Sequence, residues 1–358
     1  MKKVLILGGY GNFGKLIAYR LVNFNIKIII AGRNKKEAQR IANKMKVESA
    51  VFDINKDLNT QLKILKPFIV INTCGPFQNL NYSIGKICIE NKVHYIDLAD
   101  GRDYVTGISE LDELAKKNEV LCVSGASTVP CLSSAVIEKY KDSFSEINSI
   151  VYGISPGQKT PRGLATVKAV LSYIGKPIKY LHENKIRYGW QNIYMQKYPI
   201  LGNRWMGNCD IPDLDLFPKK FGIKSIKFSA GMENIILHFG IWILSWIKRF
   251  GFPVNFEKYA SLFLKLSNVF NIFGTANGGM HIIIDGKDLL GKSLKKKWFI
   301  IALNGDGPQI PCMPSSLLAK KLIDGNLNIT GAIPCLSLIS LDEYIDSLQQ
   351  FNIKVFNY

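Results

Sequence analysis

Residues Lys2 to Leu21 read KKVLILGGYGNFGKLIAYRL, an apolar run that stops at a cluster of glycines and resumes at helical spacing. The natural reading is a strand, a tight turn and a helix. Gly9, Gly11 and Gly14 match GxGxxG directly after the strand, where small residues let the backbone turn and approach a pyrophosphate at the positive end of the helix. Asn12 and Phe13 complete this expected dinucleotide cradle. A signal peptide shares the charged start, but here the apolar part is too short and no small-residue cleavage site follows it.

From residue 1 to about 147, short apolar β-branched runs alternate with amphipathic stretches, the pattern of a parallel sheet. Strands are expected at Lys3 to Leu7, Lys27 to Ala31, Glu48 to Phe52, Phe68 to Asn72, His94 to Leu98 and Val120 to Ser124. Helices are expected at Gly14 to Asn23, Lys35 to Lys46, Tyr82 to Asn91 and Ile108 to Asn118. The fold class is therefore α/β: an N-terminal Rossmann domain with a doubly wound parallel sheet over 1–147, then a second, α+β domain over 148–358. The C-terminal stretch GDGPQIPCMPSSLLAKKLIDG reads as a loop and a helix able to pack back on the first domain.

The second strand decides which dinucleotide is held. NAD-binding folds usually place an acid at its end, about twenty residues past the glycines, for the ribose 2′-hydroxyl. This chain has AGRNKK. Arg33 can accept a 2′-phosphate, Asn34 can add a hydrogen bond and the lysines add charge, so NADP is the expected cofactor. Two further strand-end loops extend the cofactor set. Asp53 and Ile54 are expected by the adenine, and Thr73, Cys74, Gly75, Pro76 and Phe77 along the ribose and nicotinamide side. Asp53 reads equally as a turn residue, and Cys74 as a small packed residue rather than a nucleophile.

For the chemistry, the loop DLADGRDYV offers Asp100 as a proton relay and Arg102 as a clamp for a substrate carboxylate. The alternative is that Asp97 and Asp100 cap the next helix and pair with Arg102. In the second domain Arg162 opens a helix as a candidate anion site, and His281 opens an apolar strand as a candidate proton donor. Gln309 and the acidic loop Asp210, Asp213 and Asp215 are weaker candidates, the loop reading as solvated surface. No metal site is expected.

The chain of 358 residues is 47% hydrophobic and 21% charged, the composition of a globular protein, with a formal charge of +18. That charge favours an anionic partner such as a phosphorylated cofactor or an acidic lipid surface, although biased codon usage is its plainer source. Nucleic acid is not expected, for want of any helix-turn-helix or zinc motif. Seven scattered cysteines without a CxxC pair point to a reducing cytoplasm. Ile235 to Ile247, followed by Lys248 and Arg249, falls short of the roughly 20 residues a bilayer crossing needs. It is expected to form a buried or homodimer-interface helix, or to make peripheral membrane contact through 235–249 at the inner face.

GGYGNFG, AGRN, VINTCGPF, YIDLADGRDYV and SGASTVPCLSSAVI together resemble the NADP-binding domain of the saccharopine dehydrogenase-like family, over roughly the first 140 residues. SPGQKTPRGLATVKAVLSYIGKP, GWQN, NGGMHI and GDGPQIPC resemble the C-terminal half of a bacterial branch of that family. The resemblance implies a Rossmann domain, a second α+β domain carrying the substrate, and NADP(H) use. It leaves the substrate open among imines, amino-acid-like molecules and lipid intermediates. The expected activity is an NADP(H)-dependent oxidoreductase acting on an imine or amino-acid-like small molecule. The alternatives are a membrane-associated reductase of an enoyl-type lipid and a non-catalytic NADP(H)-sensing module.

Overall fold

Runs such as Val4 to Leu7 and Ile69 to Ile71 are apolar on both faces, so they can sit only in a sheet covered on both sides. The computed structural model describes residues 2–78, 80–180 and 183–358, apart from the side chains of residues 183–185. Its strands run in chain order β1 Lys3–Leu7, β2 Lys27–Gly32, β3 Glu48–Val51, β4 Ile69–Asn72, β5 His94–Asp97, β6 Leu121–Ser124, β7 Phe144–Ser155 and β8 Pro177–Tyr180. They continue as β9 Glu183–Tyr188, β10 Tyr194–Tyr198, β11 Gly202–Asn208, β12 Ser225–Gly231, β13 Gly278–Asp288, β14 Ser293–Ala302, β15 Gly331–Pro334 and β16 Ile353–Asn357. The chain forms two compact units: Met1–Ala135 with Gln309–Tyr344, and Val136–Pro308 with Ile345–Tyr358.

The first unit holds a parallel sheet in the order β15-β6-β5-β4-β1-β2-β3. Its order reverses between β1 and β4, the switch point of a doubly wound sheet. The six expected strands are present, and the fold class stands. The seventh, β15, joins from far down the chain by pairing Gly331 to Pro334 with Leu121 to Ser124. The unit therefore divides at Ala135 rather than near 147, and Gln309–Tyr344 belongs with it. The helix Gln309–Asp324 is buried on all sides from Cys312 to Ala319, with the Gln309 side chain accepting from Arg20 at 3.3 Å and Cys312 lying against Phe13. The stretch Ile108 to Asn118 is not one helix. A 3₁₀ turn over Gly107–Leu111 leads into a short helix, Asp112–Lys117.

The second unit is built on a mixed sheet in the order β10-β11-β12-β7-β13-β14-β16, in which only β12 and β7 run parallel. Beside it, the helices Leu164–Ser172, Ile235–Arg249 and Ala260–Val269 share a small core of Val167, Leu171, Ile241, Ala260 and Trp190. Among the described residues no helix is long and apolar enough to cross a membrane.

Candidate functional site

The glycine turn leaves β1 at Gly8, whose φ of +73° lies in the left-handed region. The amides of Gly8 and Gly9 both donate to the carbonyl of Ala31, at 3.0 and 3.1 Å, which pins the turn to β2. Gly11 then donates back to the Gly8 carbonyl at 2.8 Å. A methyl group on Gly14 would lie 2.4 Å from the Gly8 oxygen and 2.8 Å from the Gly9 Cα, so helix and loop touch backbone to backbone. The helix Asn12–Asn23 starts from Gly11 with no side-chain cap and no acid in its first turn. Its first amides, among them those of Asn12, Phe13 and Gly14, have no partner within the helix, and its positive end is left for an anion. Cradle and open helix end stand at the switch point between β1 and β4, and they fit a pyrophosphate.

At the end of β2 no carboxylate is present, and Arg33 and Asn34 are exposed. The Asn34 side-chain oxygen accepts from Glu37 at 3.1 Å and caps the helix Lys35–Met45, so only its NH₂ can serve a ligand. The Arg33 charge lowers the Cys74 thiol somewhat, against the larger upward push of burial. Tyr10, the x of GxGxxG that follows Gly9, was not among the expected residues. Its ring lies across Gly32, where an added Cβ would come within 2.2 Å, and its hydroxyl accepts from the Asn34 amide at 3.2 Å. A large aromatic residue between the glycines, with a glycine closing β2, is the signal that would have revealed it.

Asp53 is held within its own turn, its carboxylate accepting from Asn55 at 3.0 Å, and Ile54 packs toward the sheet core. Thr73 anchors the β4 loop, donating to the Leu7 carbonyl at 2.8 Å. Burial pushes the Cys74 thiol up to about 11, so it is a packed thiol and not a nucleophile. Gly75 is exposed and Pro76 half-buried, while Phe77 is buried against Tyr104 with ring centroids 5.5 Å apart.

Beyond β5, Asp97 is wholly buried. One carboxylate oxygen accepts from Ala99, Ser124 and Gly125 at 2.9 to 3.0 Å, and the other has no hydrogen-bond partner. Burial outweighs those three bonds and pushes the carboxyl up to about 6. Behind it, Asn72 donates to the Tyr95 hydroxyl at 3.0 Å, which lies 3.4 Å from that of Tyr104. Asp100 accepts from Gln78 at 3.0 Å, joining the β4 and β5 loops. Arg102 opens the short helix Arg102–Thr106, whose N-cap is Gly101 with no side-chain cap. Asp97 spends its carboxylate on Ala99, Ser124 and Gly125, and Asp100 accepts from Gln78.

The structure thus gathers the glycine turn, Arg33, the β4 loop and the Asp100 loop at one edge of the first unit. Arg162 and His281 belong to the second unit. His281 is fully buried in β13, its ring nitrogens 2.7 Å from the Tyr198 hydroxyl and 3.3 Å from that of Tyr194, and burial pushes it down to about 3. It is a neutral core residue, which corrects the expected proton donor. Arg162, half-buried just ahead of its helix, donates to Ser267 at 2.6 Å and to the Gln158 carbonyl. Asp213, expected in a solvated loop, is buried and accepts from Tyr152 at 2.9 Å.

Residues 4–123 match the family model described as saccharopine dehydrogenase NADP binding domain. The likeness to that family model spans 120 of the 358 residues, the first third of the chain. Comparison with curated proteins gives no match. Among solved structures, the apo saccharopine dehydrogenase (L-Glu forming) from Saccharomyces cerevisiae superposes with a TM-score of 0.68 at 12% identity, over 100% of both chains. At that identity the likeness shows the fold. Biliverdin reductase from Synechocystis sp. PCC 6803, in complex with biliverdin and NADP+, gives a TM-score of 0.41 at 10% identity over 97% of this chain and 96% of its own. The WlbA (WbpB) dehydrogenase from Thermus thermophilus, in complex with NAD and alpha-ketoglutarate, gives 0.44 at 8% over 97% and 93%. The stretch matched by the family model ends within β6.

Proposed function

We propose that this protein is an NADP(H)-dependent oxidoreductase that moves a hydride to or from an imine or amino-acid-like small molecule. The observation that carries the reading is an exposed arginine, with no acid, at the end of β2 beside an intact glycine cradle. The amides of residues 12–14 hold the pyrophosphate, Arg33 and the Asn34 NH₂ hold the 2′-phosphate, and Tyr10 fixes the loop that presents them. Thr73 to Phe77 flank the nicotinamide half, with Phe77 excluding water. When bound, the nicotinamide supplies or accepts the hydride. Asp100 relays the proton and Arg102 holds a substrate carboxylate. A cytoplasmic setting accords with seven free cysteines, and a homodimer belongs to the same reading.

The test is a titration with NADPH and NADH, followed by nicotinamide fluorescence, in wild type and Arg33→Ala. NADPH is expected to bind more tightly than NADH, and the variant to lose at least about tenfold for NADPH alone, the scale of one charge-assisted contact. Loss of both nucleotides equally, or binding of neither at high micromolar concentration, overturns the reading. A second reading, a reductase of a lipid intermediate, is favoured by the exposed apolar side chains of the helices Ile235–Arg249 and Ala260–Val269. Oxidation of NADPH by enoyl lipids but not by soluble imines would select it.

A further inference from the structure

Nearly half of the large apolar side chains that the described residues leave exposed fall between Ile235 and Phe273. Both helices of this stretch are apolar on two sides. In Ile235–Arg249 the inward side is His238, Ile241 and Ser245, all buried. Ile236 and Ile243, at i and i+7, are 63% and 53% exposed on the other side. In Ala260–Val269 and the turn after it, Ala260 and Phe263 pack inward, whereas Leu262, Leu266, Val269 and Phe273 repeat at i, i+4, i+7 and i+11 and stand exposed. Helices that are apolar all round are ordinarily covered. The tips project furthest: Phe250 after the first helix, and Ile272 and Phe273 after the second, are each 74% exposed.

We infer that this surface docks on an anionic lipid bilayer. From Asn234 to Ile284 the chain carries four lysines and arginines and one acid, Glu257, within a protein of formal charge +18. Lys258 and Lys265 are exposed and flank the Leu262–Leu266 stripe, where their stems lie along apolar surface while their ammonium groups reach lipid phosphates. A protein interface is depleted of lysine at its centre and needs a shaped pocket for each projecting side chain. Acyl chains take phenylalanine tips without one. This inference is independent of the cofactor, since vesicle binding reads neither nucleotide nor turnover.

The experiment is co-sedimentation of the full chain with phosphatidylcholine vesicles, with and without phosphatidylglycerol, at low and high salt. The protein is expected to sediment with the phosphatidylglycerol vesicles and to be released by salt. Leu266→Glu with Val269→Glu is expected to lower partitioning at least about tenfold. These positions are exposed, so the thermal midpoint should hold, and Lys258→Glu with Lys265→Glu tests the charge without touching the apolar stripe. A protein that stays in the supernatant with both vesicle types overturns the inference. So does a dimer, seen by light scattering, that L266E/V269E splits while no vesicle is bound, because a second copy then covers the surface.

Discussion

Gly14→Ala is expected to weaken NADPH binding by about a hundredfold and to lower the thermal midpoint as well. The added carbon would sit 2.4 Å from the Gly8 oxygen and 2.8 Å from the Gly9 Cα. Both obstacles are backbone, so no flexible side chain can swing aside, and the loop cannot retreat because its Gly8 and Gly9 amides are held on Ala31. The helix start must move off the turn. Overpacking of this kind costs about 1 to 3 kcal/mol, and it carries the anion-facing amides out of position. Gly11→Ala is the internal comparison, since its added carbon would lie 3.1 Å from the same oxygen and need only a small adjustment. Fluorescence titration with a melting curve on each variant reads both effects. Binding by Gly14→Ala within about threefold of wild type would show that the turn does not carry the nucleotide.

The second large effect is on stability as a function of pH. Asp97 titrates at about 6 in the folded protein, because burial disfavours its charge, against an ordinary value of 3.8. The folded state therefore holds the proton more tightly than the unfolded chain. Stability contributed by the neutral acid is complete below the ordinary value and is lost as pH rises from about 4 to about 6, a loss of about 3 kcal/mol that persists above it. Asp97→Asn stays neutral and keeps an oxygen for Ala99, Ser124 and Gly125. The variant is expected to be more stable than wild type at pH 7 to 8 by about 2 kcal/mol and to lack the decline. Urea unfolding across pH 4 to 8 checks it, and parallel profiles for the two proteins would mean that Asp97 titrates normally.

Strands β1, β2 and β4 were legible because their side chains are apolar on both faces, a pattern few other environments tolerate. β15 was not. GAIP is four residues with a glycine and a proline, and only its pairing with Leu121 to Ser124 makes it a strand. The glycine turn was legible because its geometry is local, whereas Tyr10 acts on residues more than twenty positions away. His281 misled for the same reason: its chemistry suggested a donor, but its environment is set by Tyr194, Tyr198 and Phe299, which are remote in sequence. The helix Ile235–Arg249 was visible as an apolar segment, yet nothing local separated its inward stripe from its outward one.

The late arrival of β15 bears on how the protein is made. β6 leaves the ribosome about 200 residues before its outer neighbour, which at typical elongation rates is an interval of about 10 to 40 s. Through that time the edge of β6, apolar from Leu121 to Val123, stands as an open template for pairing with other chains. A nascent or truncated first unit is therefore expected to need a chaperone until Gly331 to Pro334 is synthesised, and a genetic excision of the nucleotide domain at residue 135 would make that exposure permanent.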